Sequence, residues 1–475
     1  MRPMDHDGDT MHEECGIFGA YAPGEDVARM AYFGLYALQH RGQESAGIAV
    51  ARHGQVRLHK QMGLVSQAFN EEILSRLPGD SVVGHTRYST TGSALPENAG
   101  PMAAESALGT IVVAHNGNLV NALALRDELL LEGARLRTST DSEVLTHLIA
   151  RADGITIVDK LRRALARCVG AYSLVVLTPQ EIVAVRDPNG IRPLCLGRID
   201  AGWIVASESC ALATVGATFE RELEPGEILI IDEHGVRSES LRTDEQRAMC
   251  VFELIYFARP DSKLAGQRVH LARQRMGAEL WREQPADGDV VVPVPDSAVP
   301  AAIGYARASG IPYSEALIKN RYIGRTFIQP DQRLREMGVQ LKFNALPEVV
   351  EGKRVVLVDD TIVRGTTSRP LVQLLRAAGA AEVHMRVHAP PVMWPCYLGV
   401  DMATRAELIA ANKTLEEIKQ VIGADTLGYL SLEGLFRATG QAGERFCAGC
   451  LTGRYPVRID TSAGKHALVT AAHGD

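Results

Sequence analysis

Val355-Val-Leu-Val-Asp-Asp-Thr-Ile-Val-Arg-Gly-Thr-Thr-Ser368 runs four apolar residues into two adjacent carboxylates, then into a loop of hydroxyls, one arginine and one glycine. Residues 369–378 follow as a helix, with Leu371, Leu374, Leu375 and Ala378 on one face and Gly379 as its stop. A buried strand, an acidic tip and a hydroxyl/glycine loop at a helix N-terminus make a phosphate cradle beside a place for hydroxyls or a metal ion. The loop amides and helix dipole favour an anion, which Asp359 and Asp360 would repel. Both demands are met by a ligand carrying a phosphate at one end and hydroxyls or a cation at the other. A sugar phosphate has that pattern.

Outward from this stretch, the chain from about residue 290 alternates strand and helix. Residues 290–293 precede a helix at 298–308, and 383–387 form a further strand. That alternation predicts an α/β domain with a parallel sheet and ligand loops at its strand C-termini. Residues 404–438 read as helical, and the tail from 458 to 475 as small, polar and loose. Upstream, β-like runs at 47–51, 81–84, 110–114, 173–177, 181–185, 203–206 and 227–231 are interspersed with helical stretches at 27–38, 119–131 and 143–149. They predict an α+β layered domain. The polar run 238–248 reads as a connector.

With 475 residues, 46% hydrophobic and 23% charged, the chain can fill two or three domain cores. A net charge of −7 with scattered Lys and Arg excludes a general nucleic-acid binder. No apolar run reaches membrane-spanning length, and the acidic, polar residues 1–14 are no secretory signal. A cytoplasmic protein without a membrane partner is expected. Its eight cysteines then point to thiol chemistry or metal binding more than to disulfides.

Cys15 opens Cys-Gly-Ile-Phe-Gly, followed by His40-Arg-Gly-Gln-Glu-Ser-Ala-Gly47. A cysteine before an apolar strand is ordinarily a small core residue. If residues 1–14 are removed, however, Cys15 gains a free α-amine that can act as the base for its own thiol. Glu14 precedes it, so proteolytic maturation is required. Three segments supply what a glutamine-hydrolysing thiol needs. Arg87, in Gly84-His-Thr-Arg87, suits an α-carboxylate. Asn116 and Gly117, in Ala114-His-Asn-Gly-Asn118, suit an oxyanion. Asp141, in Thr140-Asp-Ser-Glu143, suits an α-ammonium. Singly, each reads more simply as an ion pair, a turn and a helix N-cap.

Together with Arg186-Asp-Pro-Asn-Gly-Ile-Arg-Pro-Leu194, these motifs make residues 15–242 resemble the glutaminase domain of the N-terminal-nucleophile amidotransferases. Residues 243–457 resemble a type I phosphoribosyltransferase. The combination resembles the glutamine phosphoribosylpyrophosphate amidotransferase family, which opens purine synthesis. The resemblance implies a four-layer αββα domain followed by the parallel-sheet domain, with residues 1–14 as a propeptide. Asp359 and Asp360 are implied beneath the ribose hydroxyls and near Mg²⁺, with Ser297 also near the metal. Thr361, Arg364, Gly365, Thr366 and Thr367 are implied around the 5′-phosphate. Lys319 and Arg321 begin a basic stretch implied to close as a lid over the pyrophosphate; its plainer reading is a solvated loop. Ser297 also reads as the N-cap of the next helix. Purine nucleotide inhibitors and a homotetramer are implied as well.

Cys447-Ala-Gly-Cys450 leaves zinc, a redox pair and coincidence open. With Cys250 and Cys396 added, four thiolates suit a zinc site or a four-iron cluster equally. The resembled family has one branch with both a propeptide and a [4Fe–4S] cluster, so the resemblance implies that cluster at Cys250, Cys396, Cys447 and Cys450. Cys168, Cys195 and Cys210 read as core residues. Three rivals are another glutamine amidotransferase such as a glucosamine-phosphate synthase, a purine regulator keeping only the transferase fold, and a glutaminase with a vestigial second half.

Overall fold

The computed structural model describes residues 15–88, 95–241, 246–320, 343–400, 402 and 404–459. The expected propeptide, Arg321 with the lid beyond it, and the tail from residue 460 lie outside the described residues.

Two antiparallel sheets face each other in the first half. One has seven strands, in the order Thr218–Glu222, Cys195–Ile199, Gly202–Ala206, Gly16–Tyr21, Ser81–Arg87, Ser45–Arg52 and Gln55–Met62. The other has six, in the order Gly235–Ser240, Glu227–Asp232, Ile182–Arg186, Gly170–Leu177, Gly109–Leu119 and Met102–Ser106. Strand alternation assigns the layers. Ile17, Ala49, Val83, Val112, Ala114 and Val175 meet between the sheets. Phe18 and Ile48 turn outward onto helix Val27–Ala37. Val113 and Leu174 turn outward onto helices Ala122–Leu131, Asp141–Arg151 and Ile157–Leu165. Both sheet faces are therefore covered, and the four-layer αββα arrangement expected from the sequence is present.

The second half holds a four-stranded parallel sheet in the order Val290–Pro293, Arg354–Asp359, Glu382–Val387 and Thr426–Tyr429. Val355 to Val358 are fully buried, each contributing roughly 1.5–3 kcal/mol by leaving water. Helix Ser368–Ala377 packs Leu371, Val372 and Leu375 inward, and Gly379 follows at φ +93°. One expectation is corrected here. Residues 404–438 are not continuously helical, because Thr426–Tyr429 supplies the fourth strand between helices Leu415–Ile422 and Leu432–Thr439. The expected connector is corrected too, since Gly235–Ser240 is an edge strand. Among the described residues no helix is long and apolar enough to cross a membrane.

Candidate active sites

Cys15 stands immediately before strand Gly16–Tyr21, with the same parity as Ile17, so it sits at the rim of the inter-sheet layer. Its pocket is also lined by Arg87, Gly117 and Asp141, three of the residues singled out from the sequence. The thiol lies 3.7 Å from the Tyr88 carbonyl. Burial pushes the thiol up to about 11, with the Tyr88 contact and Arg87 pulling back. Such a thiol needs a neighbouring base to react at neutral pH.

Arg87 ends strand Ser81–Arg87 and lies 3.5 Å from Glu44. Asp141 accepts the Leu119 amide at 3.0 Å and sits 3.8 Å from His115 Nδ1. It is not the helix N-cap, since Thr140 fills that role by accepting the Glu143 amide. Asp141 is thus presented from the first turn of its helix. Gly117 adopts φ +149°, and a Cβ there would stand 2.0 Å from the Ala171 carbonyl, so this bend of the strand requires glycine.

Asn116 lies on the inter-sheet face with Ala114. It is fully buried, and both its amide oxygen and its amide nitrogen lack a partner. A buried amide without partners costs free energy, and a donor held this way is suited to charge that develops only during a reaction. His85 and His115 also line the pocket, though neither is among the residues expected from the sequence. Burial, with Arg87 nearby, lowers His85 to about 3. Both histidines share the pocket-facing alternation of Arg87 and Gly117, and that was the signal available in the sequence.

At the second site, Asp359 ends strand Arg354–Asp359 and accepts the Asp360 amide at 2.9 Å. Asp360 accepts the hydroxyls of Thr361 (2.7 Å) and Ser297. Ser297 is therefore not the N-cap; Ala298 holds that position without a side-chain cap. Gly365 turns the loop at φ +78°, and Thr367 leads into helix Ser368–Ala377. Arg364 lies 3.6 Å from Glu407. Lys319, on the short strand Leu317–Lys319, pairs with Asp296 at 3.1 Å. Carboxylates, hydroxyls and a helix N-terminus meet at the strand C-termini, where a sugar phosphate would lie.

The four cysteines of the remaining set also converge. Cys250 pairs with Cys447 in a two-residue parallel ladder. Burial raises Cys250, Cys447 and Cys450, and each also feels the negative charge of other members of the set, Cys396 included. Among the described residues no three His, Cys, Asp or Glu stand close enough to grip a single ion as they are. Cys195 and Cys210 are buried and Cys168 packs on the helical layer, as expected of core residues.

The two halves meet around the motif 186–194. Arg186 and Asp187 hold its turn, and Arg192 donates to the Leu398 carbonyl from across the joint.

Comparison with known proteins follows that division. A glutamine amidotransferase domain family matches residues 85–214, and a phosphoribosyl transferase domain family matches residues 265–389. The amidophosphoribosyltransferase of Synechococcus elongatus is 52% identical over 457 residues, covering 95% of this chain and 93% of that protein. The solved structure of the allosteric regulatory enzyme of purine biosynthesis superposes with a TM-score of 0.91 at 47% identity, covering 96% of this chain and 98% of that one. The glutamine phosphoribosylpyrophosphate amidotransferase from B. subtilis, complexed with ADP and GMP, gives 0.89 at 47% identity, covering 94% and 98%.

Proposed function

The chain belongs to the amidophosphoribosyltransferase family, and from that premise we propose how its two sites divide the work. The activity is the glutamine-dependent conversion of phosphoribosyl pyrophosphate to phosphoribosylamine in purine biosynthesis.

In this reading Cys15 becomes the first residue once residues 1–14 are removed, within a glutaminase domain of 15–242. Its α-amine takes the thiol proton, and the sulfur attacks the side-chain amide carbon of glutamine. Arg87 holds the substrate α-carboxylate and Asp141 its α-ammonium. Asn116 Nδ2 and the Gly117 amide receive the oxyanion. Collapse, with the Cys15 α-ammonium returning its proton to the leaving nitrogen, expels ammonia and leaves a thioester, which water hydrolyses to glutamate and free thiol. Ammonia reaches the transferase domain, 243–457, without entering bulk solvent, and attacks C1 of the sugar as the C1–O bond to pyrophosphate breaks.

Thr361, Arg364, Gly365, Thr366 and Thr367 hold the 5′-phosphate, while Asp359 and Asp360 hold the ribose hydroxyls. Lys319 and Arg321 meet the pyrophosphate. The all-oxygen set of Ser297, Asp359 and Asp360 fits Mg²⁺ and would hold it, where it supplies charge neutralisation for the departing pyrophosphate. Cys250, Cys396 and Cys450, which are buried, and the half-buried Cys447 in the same neighbourhood fit a [4Fe–4S] cluster with a structural role, tying the C-terminal segment to the transferase core. The protein is proposed to be cytoplasmic and a homotetramer inhibited by purine nucleotides; the relative complexed with ADP and GMP supports the inhibitors.

The observation that carries this reading is the convergence of Cys15, Arg87, Gly117 and Asp141 on one pocket in a chain that also holds the 359–368 loop. Cys15→Ala is expected to abolish glutamine-dependent synthesis and to leave ammonia-dependent synthesis largely intact. Loss of both would refute the two-site division.

A further inference from the structure

Resting on the two-site reading, we infer that Glu253 and His388 are positioning residues through which the phosphoribosyl loop sets the geometry of the glutamine pocket. The path is continuous, and every side chain on it is buried. It begins at the Asp359 carbonyl, which lies 3.0 Å from His388 Nδ1. The opposite ring nitrogen, Nε2, lies 3.3 Å from the Ile255 carbonyl. Ile255 belongs to the π-helical turn Glu253–Phe257, a rare geometry that recurs at functional sites. Arg273 clamps the same turn by donating to the carbonyls of Leu254, Tyr256 and Ala258.

The turn begins with Glu253, whose carboxylate crosses to the glutaminase half. There it accepts both terminal nitrogens of Arg41, at 3.2 and 2.5 Å. Arg41 also donates Nε to Glu208 at 2.5 Å, so its guanidinium is fixed from two sides in a dry interior. A planar fork held in this way transmits displacement rather than absorbing it. The next residue, Gly42, lies so close to the Thr86–Arg87 backbone that a Cβ would stand 2.6–2.7 Å from it. Arg87 lines the Cys15 pocket. A shift of the loop at Asp359 therefore has a rigid route to the group that grips the glutamine carboxylate.

Between Asp359 at one end and Arg87 at the other, none of these residues is placed against glutamine or the sugar. Their role is read in the coupling between sites and not in either chemistry. Glutamine hydrolysis by the full-length enzyme would be measured with and without phosphoribosyl pyrophosphate, beside ammonia-dependent synthesis. In Glu253→Gln the stimulation is expected to fall roughly fivefold or more, with ammonia-dependent synthesis and unstimulated hydrolysis within about twofold of wild type. His388→Asn keeps an amide nitrogen about where Nδ1 stands and loses the Ile255 contact; it is expected to give the same phenotype from the other end. The double variant should be no worse than either single one, as for two links of one path. Wild-type stimulation persisting in both single variants would overturn the relay alone. Equal loss of all three activities would overturn it in favour of a merely structural role. A wild-type enzyme without stimulation would overturn the coupled two-site reading itself.

Discussion

Asn118 Nδ2 donates to the Tyr397 carbonyl at 2.8 Å, tying the strand of Asn116 and Gly117 to the segment that begins at Cys396. A strand of one half is thus braced by the cysteine-bearing segment of the other. Cys396→Ala is expected to lose iron and acid-labile sulfide, to lower the thermal midpoint, and to impair glutamine-dependent synthesis by releasing that brace. Metal and sulfide analysis of anaerobically purified protein checks this. Stoichiometric zinc without iron in the wild type would overturn the cluster.

Gly399 bears directly on the same strand. At φ +109° a Cβ there would meet the Gly117 carbonyl carbon at 3.0 Å and its Cα at 3.1 Å. Gly399→Ala should destabilise the protein by about 1–3 kcal/mol and lower glutamine-dependent synthesis more than ammonia-dependent synthesis. Denaturant unfolding and the ratio of the two activities provide the check, and an unchanged ratio would count against the brace.

Asp360 accepts two hydroxyl donors, one from Thr361 and one from Ser297. An amide at that position has one acceptor oxygen and would turn its NH₂ toward one of them. Asp360→Asn is expected to lower kcat/KM for phosphoribosyl pyrophosphate about 100-fold with either nitrogen source. Steady-state kinetics with glutamine and with ammonia should fall together.

Maturation can be read by mass. Active enzyme should begin at Cys15, because the buried thiol at about 11 needs a base, and an α-amine titrating near 7.7–8.0 is well matched to neutral pH. An intact Met1 in fully active protein would sink the free-amine mechanism.

His85 gives the fold a pH signature. Its folded value of about 3 lies below the ordinary 6.5, so the unfolded chain binds the extra proton between those values. Stability from this group is full above pH 6.5 and is lost as pH falls, by about 2 kcal/mol between pH 7 and 5. Urea midpoints across that range should show the slope, and His85→Gln should flatten it.

Much of this was legible from local pattern. Strands with apolar runs, such as Val290–Pro293 and Arg354–Asp359, announce themselves because both faces are buried. Gln55–Met62 and Gly235–Ser240 sit at sheet edges with polar faces in water, so their strand character is set by pairing partners that no window contains. Thr426–Tyr429 is four residues between helices and is a strand only because Glu382–Val387 offers it a ladder. Cys15, Arg87, Gly117 and Asp141 could be picked out from motifs because the proposed chemistry asks a different residue type of each. The Arg41–Glu253 pair could not, since charges so far apart in the chain advertise nothing to each other until the fold has excluded water around them.

The parallel pairing of Met249–Cys250 with Phe446–Cys447 also imposes an order on biosynthesis. It closes only once Cys447 has been translated, long after the strands of the first half. A chain released before Tyr397 would carry every residue that lines the Cys15 pocket and still lack the contact that Asn118 makes across the joint. Contacts from the second half thus reach the strand behind the Cys15 pocket only in a chain that also carries the 359–368 loop.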